Sequence, residues 1–145
     1  MGIRETLQEA LVNANNERHA WHAALQGHDD DLVQLRANLQ RAETEKAGAE
    51  IIHRKADEKY RELLDHINNP STGQASKSAL NSEVEKLAQE TTATTQQVQS
   101  AGNAVRQCQR EVEQSEAKRT VAYENLLKET ERWEQIKKQI AELNH

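Results

Sequence analysis

Asn68-Asn69-Pro70-Ser71-Thr72-Gly73-Gln74-Ala75-Ser76 is where an otherwise continuous heptad pattern stops in this 145-residue chain. Asn, Pro, Ser and Gly clustered between periodic segments read as a loop, and Pro70, the chain's one proline, disfavours helical backbone at Asn69. Before the break a seam runs Leu7, Leu11, Ala14, Arg18, Trp21, Leu25, His28, Leu32 and onward to Tyr60, Leu63 and Ile67, in alternating steps of four and three. After it the same rhythm runs Leu80, Val84, Leu87, Thr91, Thr94, Val98 and onward to Trp133, Ile136, Ile140 and Leu143. Steps of four and three place every seam residue on one stripe of an α-helix. The reading is all-α: one domain, residues 1–145, folded as a long antiparallel two-helix coiled-coil hairpin. Its helices cover 3–67 and 77–143, the loop covers 68–76, and Ser76 or Ser78 caps the second helix. The first helix would be about 100 Å long at about 1.5 Å per residue.

Folding the chain at residues 73–74 pairs seam residues whose numbers sum to 147. Ala14 then meets Trp133 and Trp21 meets Leu126, so each indole faces a smaller side chain. Arg18 meets Glu129, the one seam Glu, and this pair reads as a register-setting device, because a charge pair in a seam fixes alignment at some cost in stability. On that reading Glu129→Lys destabilises the hairpin and Arg18→Glu partly restores it. Positions flanking the seam pair at a sum of 149: Glu17 with Arg132, Asp31 with Lys118, Lys59 with Glu90 and His66 with Glu83. The other flank sets Asp29 near Glu116, a mild repulsion, and His28 opposite Arg119 puts two potential cations in one layer unless Asp29, Asp30 and Asp31 neutralise it, with a neutral His as the plain solution and pH sensing as the alternative.

Composition agrees with a narrow seam. Hydrophobic residues make up 35% of the chain and charged residues 30%, with no Phe, yet 28 of the 37 seam positions are apolar. Two helices with one apolar stripe each bury modest area per residue. Facing stretches near the loop are poorest: Ala42, Lys46, Ala49, His53 and Ala56 oppose Thr91, Thr94, Val98, Ala101 and Val105, with Gly48 and Gly102 nearby. This third is expected to be the softest, either through close approach of Ala and Gly or as a hinge.

The net charge of −5 and the lack of a basic run argue against nucleic-acid binding. No apolar stretch approaches 18 residues and the N-terminus enters the heptads directly, so a cytoplasmic protein without membrane insertion is expected. No phosphate loop, CxxC pair, HExxH or nucleophile motif occurs, and a two-stranded hairpin has no evident cleft. The expectation is a non-enzyme with no cofactor and no metal. His19 and His22 supply too few ligands for a structural zinc, and Cys108, opposite Leu39, reads as a small seam hydrophobe.

Apolar residues off the seam point instead to a partner. Val12, Val33, Ile51, Ile52, Leu64, Val121, Tyr123 and Leu127 have nothing to pack against in a two-helix hairpin. Two groups are dense: Ile51 with Ile52, and Val121, Tyr123 and Leu127 with Trp21 and Trp133 close by. These seven are the candidate partner-binding residues. Self-association is a rival use, by packing two hairpins or exchanging helices between chains.

In length and architecture, though in no residue motif, such a chain resembles the stalk proteins of flagellar and type III secretion export machines. The resemblance implies a two-helix rod that enters a ring-shaped ATPase and touches export components and chaperones. It transfers no site residue. The expected function is a non-enzymatic coiled-coil scaffold that docks a larger machine, the central stalk of a secretion ATPase being its sharpest version. The alternatives are a small helical inhibitor or regulator of an enzyme, or a self-assembling spacer.

Overall fold

A computed structural model describes residues 2–144. Helix α1 spans Ile3–Ile67 and helix α2 spans Gln74–Leu143, and the two pack together as an all-α hairpin with no strand among the described residues. α1 opens with the Thr6 amide donating to Gly2 O at 3.1 Å and closes with the Asn68 amide donating to Leu64 O at 3.0 Å.

The connection is shorter than its composition suggests. α2 starts at Gln74, not at residue 77, because the Gly73 carbonyl already accepts the first helical bond from the Lys77 amide at 3.0 Å. Gly73 is therefore the N-cap, a position glycine tolerates well, and Ser76 and Ser78 lie inside the helix without a capping role. In the remaining residues, 68–73, Asn69 Oδ1 accepts from the Ser71 amide at 3.0 Å and the Ser71 hydroxyl at 2.8 Å. The Thr72 amide closes a turn on Asn69 O at 3.0 Å with Pro70 as its second residue, and the Thr72 hydroxyl donates to His66 O at 2.8 Å. An Asx turn supported by proline satisfies the end of α1 locally.

Every seam position from Leu7 to Ile140 is buried or half-buried, and only Leu143 of the seam is exposed. The chain forms two compact units, Met1–Arg36 with Arg110–His145 and, separately, Ala37–Gln109. In the first unit Ala14, Leu32, Val112, Ser115, Ala122 and Ile136 are buried. In the second the buried side chains are smaller: Ala42, Ala56, Thr94 and Val105. A buried methyl contributes roughly 0.8 kcal/mol where a whole Leu or Ile contributes about 1.5–3 kcal/mol, so the layers built on Ala42, Ala56 and Thr94 hold the helices less firmly than those on Leu32 and Ile136.

Polar groups in that unit are accommodated rather than orphaned. His53 Nδ1 lies 2.9 Å from Thr94 Oγ1, a cross-helix contact in the register where residue numbers sum to 147. The Thr94 hydroxyl also lies 3.0 Å from Thr91 O; when it donates there, its oxygen accepts from His53 Nδ1. Thr91, Thr92 and Thr95 return their hydroxyls to Leu87 O, Ala88 O and Thr91 O at 2.9, 3.0 and 2.8 Å. Back-bonding of this kind lets a β-branched run stay helical, and α2 passes through it unbroken.

The glycines do not mediate close approach. A Cβ on Gly48 would meet nothing within 4 Å, and one on Gly102 would meet only the Arg106 guanidinium at 3.9 Å. Both have ordinary helical backbone. Neither sterics nor φ requires glycine, so Gly48→Ala and Gly102→Ala are each expected to stabilise the hairpin by up to about 1 kcal/mol, raising the thermal midpoint by a few degrees. An unchanged or lowered midpoint in both would contradict this account of the segment.

Candidate functional site

The off-seam apolar residues are on the surface: Val12, Val33, Ile51, Ile52, Val121, Tyr123 and Leu127 are all exposed. Leu64 differs. It is half-buried, although it follows a seam residue just as Tyr123 and Leu127 do.

In the first unit, Tyr123 and Leu127 stand four residues apart and share one face of α2, each 47% exposed. Val121 does not join them. Two residues of helix rotate the side chain by about 200°, which puts Val121 on the opposite flank. The expected group of three therefore divides into a Tyr123/Leu127 flank and a lone valine. Beside Leu127 runs an open groove of about 340 Å³ lined by Arg18, His19, His22, Leu126, Leu127 and Thr130. Trp21 and Trp133 are both half-buried. The Arg18 guanidinium lies over the Trp133 ring at 3.9 Å from its centroid and the Lys137 ammonium at 4.2 Å. Trp133 is thus already engaged by two cations, and Tyr123 and Leu127 are apolar groups of α2 left open on this flank.

The expected register pair is not formed. Arg18 Nη2 donates to Asn15 Oδ1 at 2.8 Å while its guanidinium covers Trp133, and Glu129 accepts from Arg132 at 3.4 Å within α2. Stacking on an indole keeps Arg18 partly hydrated, whereas closing on Glu129 inside the seam would desolvate both charges. None of the four flank pairs at a sum of 149 closes to an ion pair among the described residues; Arg132 has turned to Glu129 instead.

The other flank is more ordered than the sequence suggests. Arg119 binds Asp29 across the hairpin, and Arg36 binds Glu116 at 3.3 Å. These bonds resolve both the Asp29–Glu116 repulsion and the proximity of His28 to Arg119. All four side chains are between 43% and 59% exposed, so each pair contributes at most about 1 kcal/mol. Together they line a second groove, about 480 Å³, with Leu32, Val33 and Thr120.

In the second unit, Ile51 and Ile52 are 48% and 55% exposed. Ile52 borders a groove of about 570 Å³ shared with Lys55, Lys59, Glu90, Ala93 and Gln97.

His19 and His22 share their groove with no third ligand: among the described residues no three His, Cys, Asp or Glu side chains gather as a metal site. Cys108 is a half-buried free thiol. No described helix is long and apolar enough to cross a membrane. Comparison with protein-family models, curated proteins and solved structures finds no match for this chain.

The cation pair on Trp133 was partly legible, since Lys137 stands at i+4 from the indole. Arg18 was not, because it belongs to the neighbouring layer. A double-mutant cycle between Arg18→Ala and Trp133→Leu is expected to show a coupling of about 0.5–1 kcal/mol in chemical unfolding. Arg18→Ala with Glu129→Ala is expected to be additive. Coupling in the second cycle and none in the first would restore the seam ion pair.

Proposed function

We propose that this chain is a non-enzymatic helical interaction protein, a scaffold that docks a larger assembly through the Tyr123/Leu127 flank of its first unit. The observation that carries this is the open groove beside Leu127: an aromatic and an aliphatic side chain, half exposed and four residues apart, next to a cleft walled by Arg18, His19 and His22. An amphipathic helix laid on such a groove finds apolar anchors in its centre and polar groups along its rim. Tyr at a site of this kind supplies large contact area at low entropic cost together with a hydroxyl for the rim.

The grooves are open, and the charged groups of one are held in the Arg119–Asp29 and Arg36–Glu116 pairs, which favours binding over catalysis. The sharpest version of this reading has a ring ATPase or another export component as the partner, on the strength of length and two-helix architecture.

Affinity capture from the cells in which the chain occurs tests the docking flank. The expected result is a bound protein that is lost with Tyr123→Ala/Leu127→Asp and kept with Val121→Ser, which lies on the opposite flank. Retention with the double variant, at unchanged helicity, would overturn the assignment. Recovery of an ATPase subunit by the same flank would support the stalk version.

A further inference from the structure

We infer that the second unit carries a self-association face centred on Ile52, on which a second copy of this chain docks antiparallel so that two hairpins form a four-helix bundle. An isologous contact must be self-complementary, with each residue opposite a suitable one and the relation holding in reverse. One flank of α1 has this property. Reading along it, Arg41, Glu45, Ile52, Lys59 and Glu62 recur at intervals of three, four or seven, and all five are exposed. A two-fold axis at Ile52 places Ile52 against the partner's Ile52, Glu45 against the partner's Lys59 and Arg41 against the partner's Glu62. Paired numbers sum to 103 or 104 throughout, as an antiparallel helix pair requires.

The α2 side of the same flank fits the same axis. From residue 91 to residue 105 α2 carries no charged side chain. With the axis at Ile52, Ala93 stands opposite the partner's Gln97, Glu90 opposite the partner's Ser100 and Lys86 opposite the partner's Ala104. Every charge there meets a neutral group, so no like charges are brought together.

The charged residues are also available. Among the described residues Arg41, Glu45, Lys59 and Glu62 enter no ion pair within the chain, while neighbours such as Lys46 with Glu50 and Arg61 with Asp57 do. Lys59 borders the groove with Glu90 without closing on it. The occupant that supplies a carboxylate opposite Lys59, a base opposite Glu62 and an isoleucine at the centre is this chain itself.

Sedimentation equilibrium of the full chain tests the proposal. The expected species is a dimer of the 16.5 kDa chain. Glu45→Lys and Lys59→Glu should each weaken it by about tenfold or more, since two symmetry-related pairs turn repulsive. Both substitutions in one chain, or an equimolar mixture of the two single variants, should regain it, and Ile52→Glu should leave a helical monomer. A monomeric native chain would overturn the proposal. So would a dimer indifferent to both single variants, the mark of exchanged helices, or one broken by Lys59→Glu but not by Glu45→Lys, which would place α1 on the partner's α2.

Discussion

A single stripe of small apolar side chains, stepping by four and three residues along both helices, is the constraint on which everything else depends. Its buried members are mostly Ala and Val, with Leu32 and Ile136 the largest. Among the described residues no side chain larger than these is buried, so the helices are held by many weak layers in place of a thick core. Slipping the pairing by one heptad would set indoles against large neighbours and move His53 away from Thr94, its hydrogen-bond partner across the hairpin. The part-buried His53–Thr94 contact thus supports the register, with the exposed ion pairs as lesser contributors.

The same economy explains the surface. Once each helix has spent its apolar stripe on the seam, any further apolar side chain stays exposed, as Val33, Ile52, Tyr123 and Leu127 do. The flanks then divide the work between the units. In the first, cross-helix bonds of Arg119 with Asp29 and Arg36 with Glu116 tie up charge on a groove lined by Leu32 and Val33. In the second, charges on one flank of α1 enter no ion pair among the described residues and lie beside an uncharged stretch of α2.

Much of the fold was legible in the sequence because heptad spacing maps directly onto one helical face. The bounds of α1, the hairpin, and the exposure of every off-seam apolar residue named except Leu64 follow from it. Legibility ended where contacts lie between layers. Arg18 sits at a seam position, yet its long side chain reaches the neighbouring layer and stacks on Trp133 in preference to Glu129. Asp29 and Glu116 looked like a clash at their shared level, but each finds an arginine slightly displaced along the axis. Long side chains sample several layers, and one register number per residue misses that freedom. The start of α2 was displaced for a different reason: Gly73 caps through its backbone carbonyl, and serine side chains were the wrong signal to seek. Of the candidate partner residues, helical rotation alone would have separated Val121 from Tyr123 and Leu127.

The register itself is most directly tested by disulfide trapping against the native Cys108, which the sum of 147 places opposite Leu39. Under mild oxidation, Leu39→Cys should cross-link within one chain faster than Leu32→Cys or Lys46→Cys, which sit one heptad to either side. Fastest trapping at residue 32 or 46, or cross-links formed only between chains, would contradict the closed hairpin in this register.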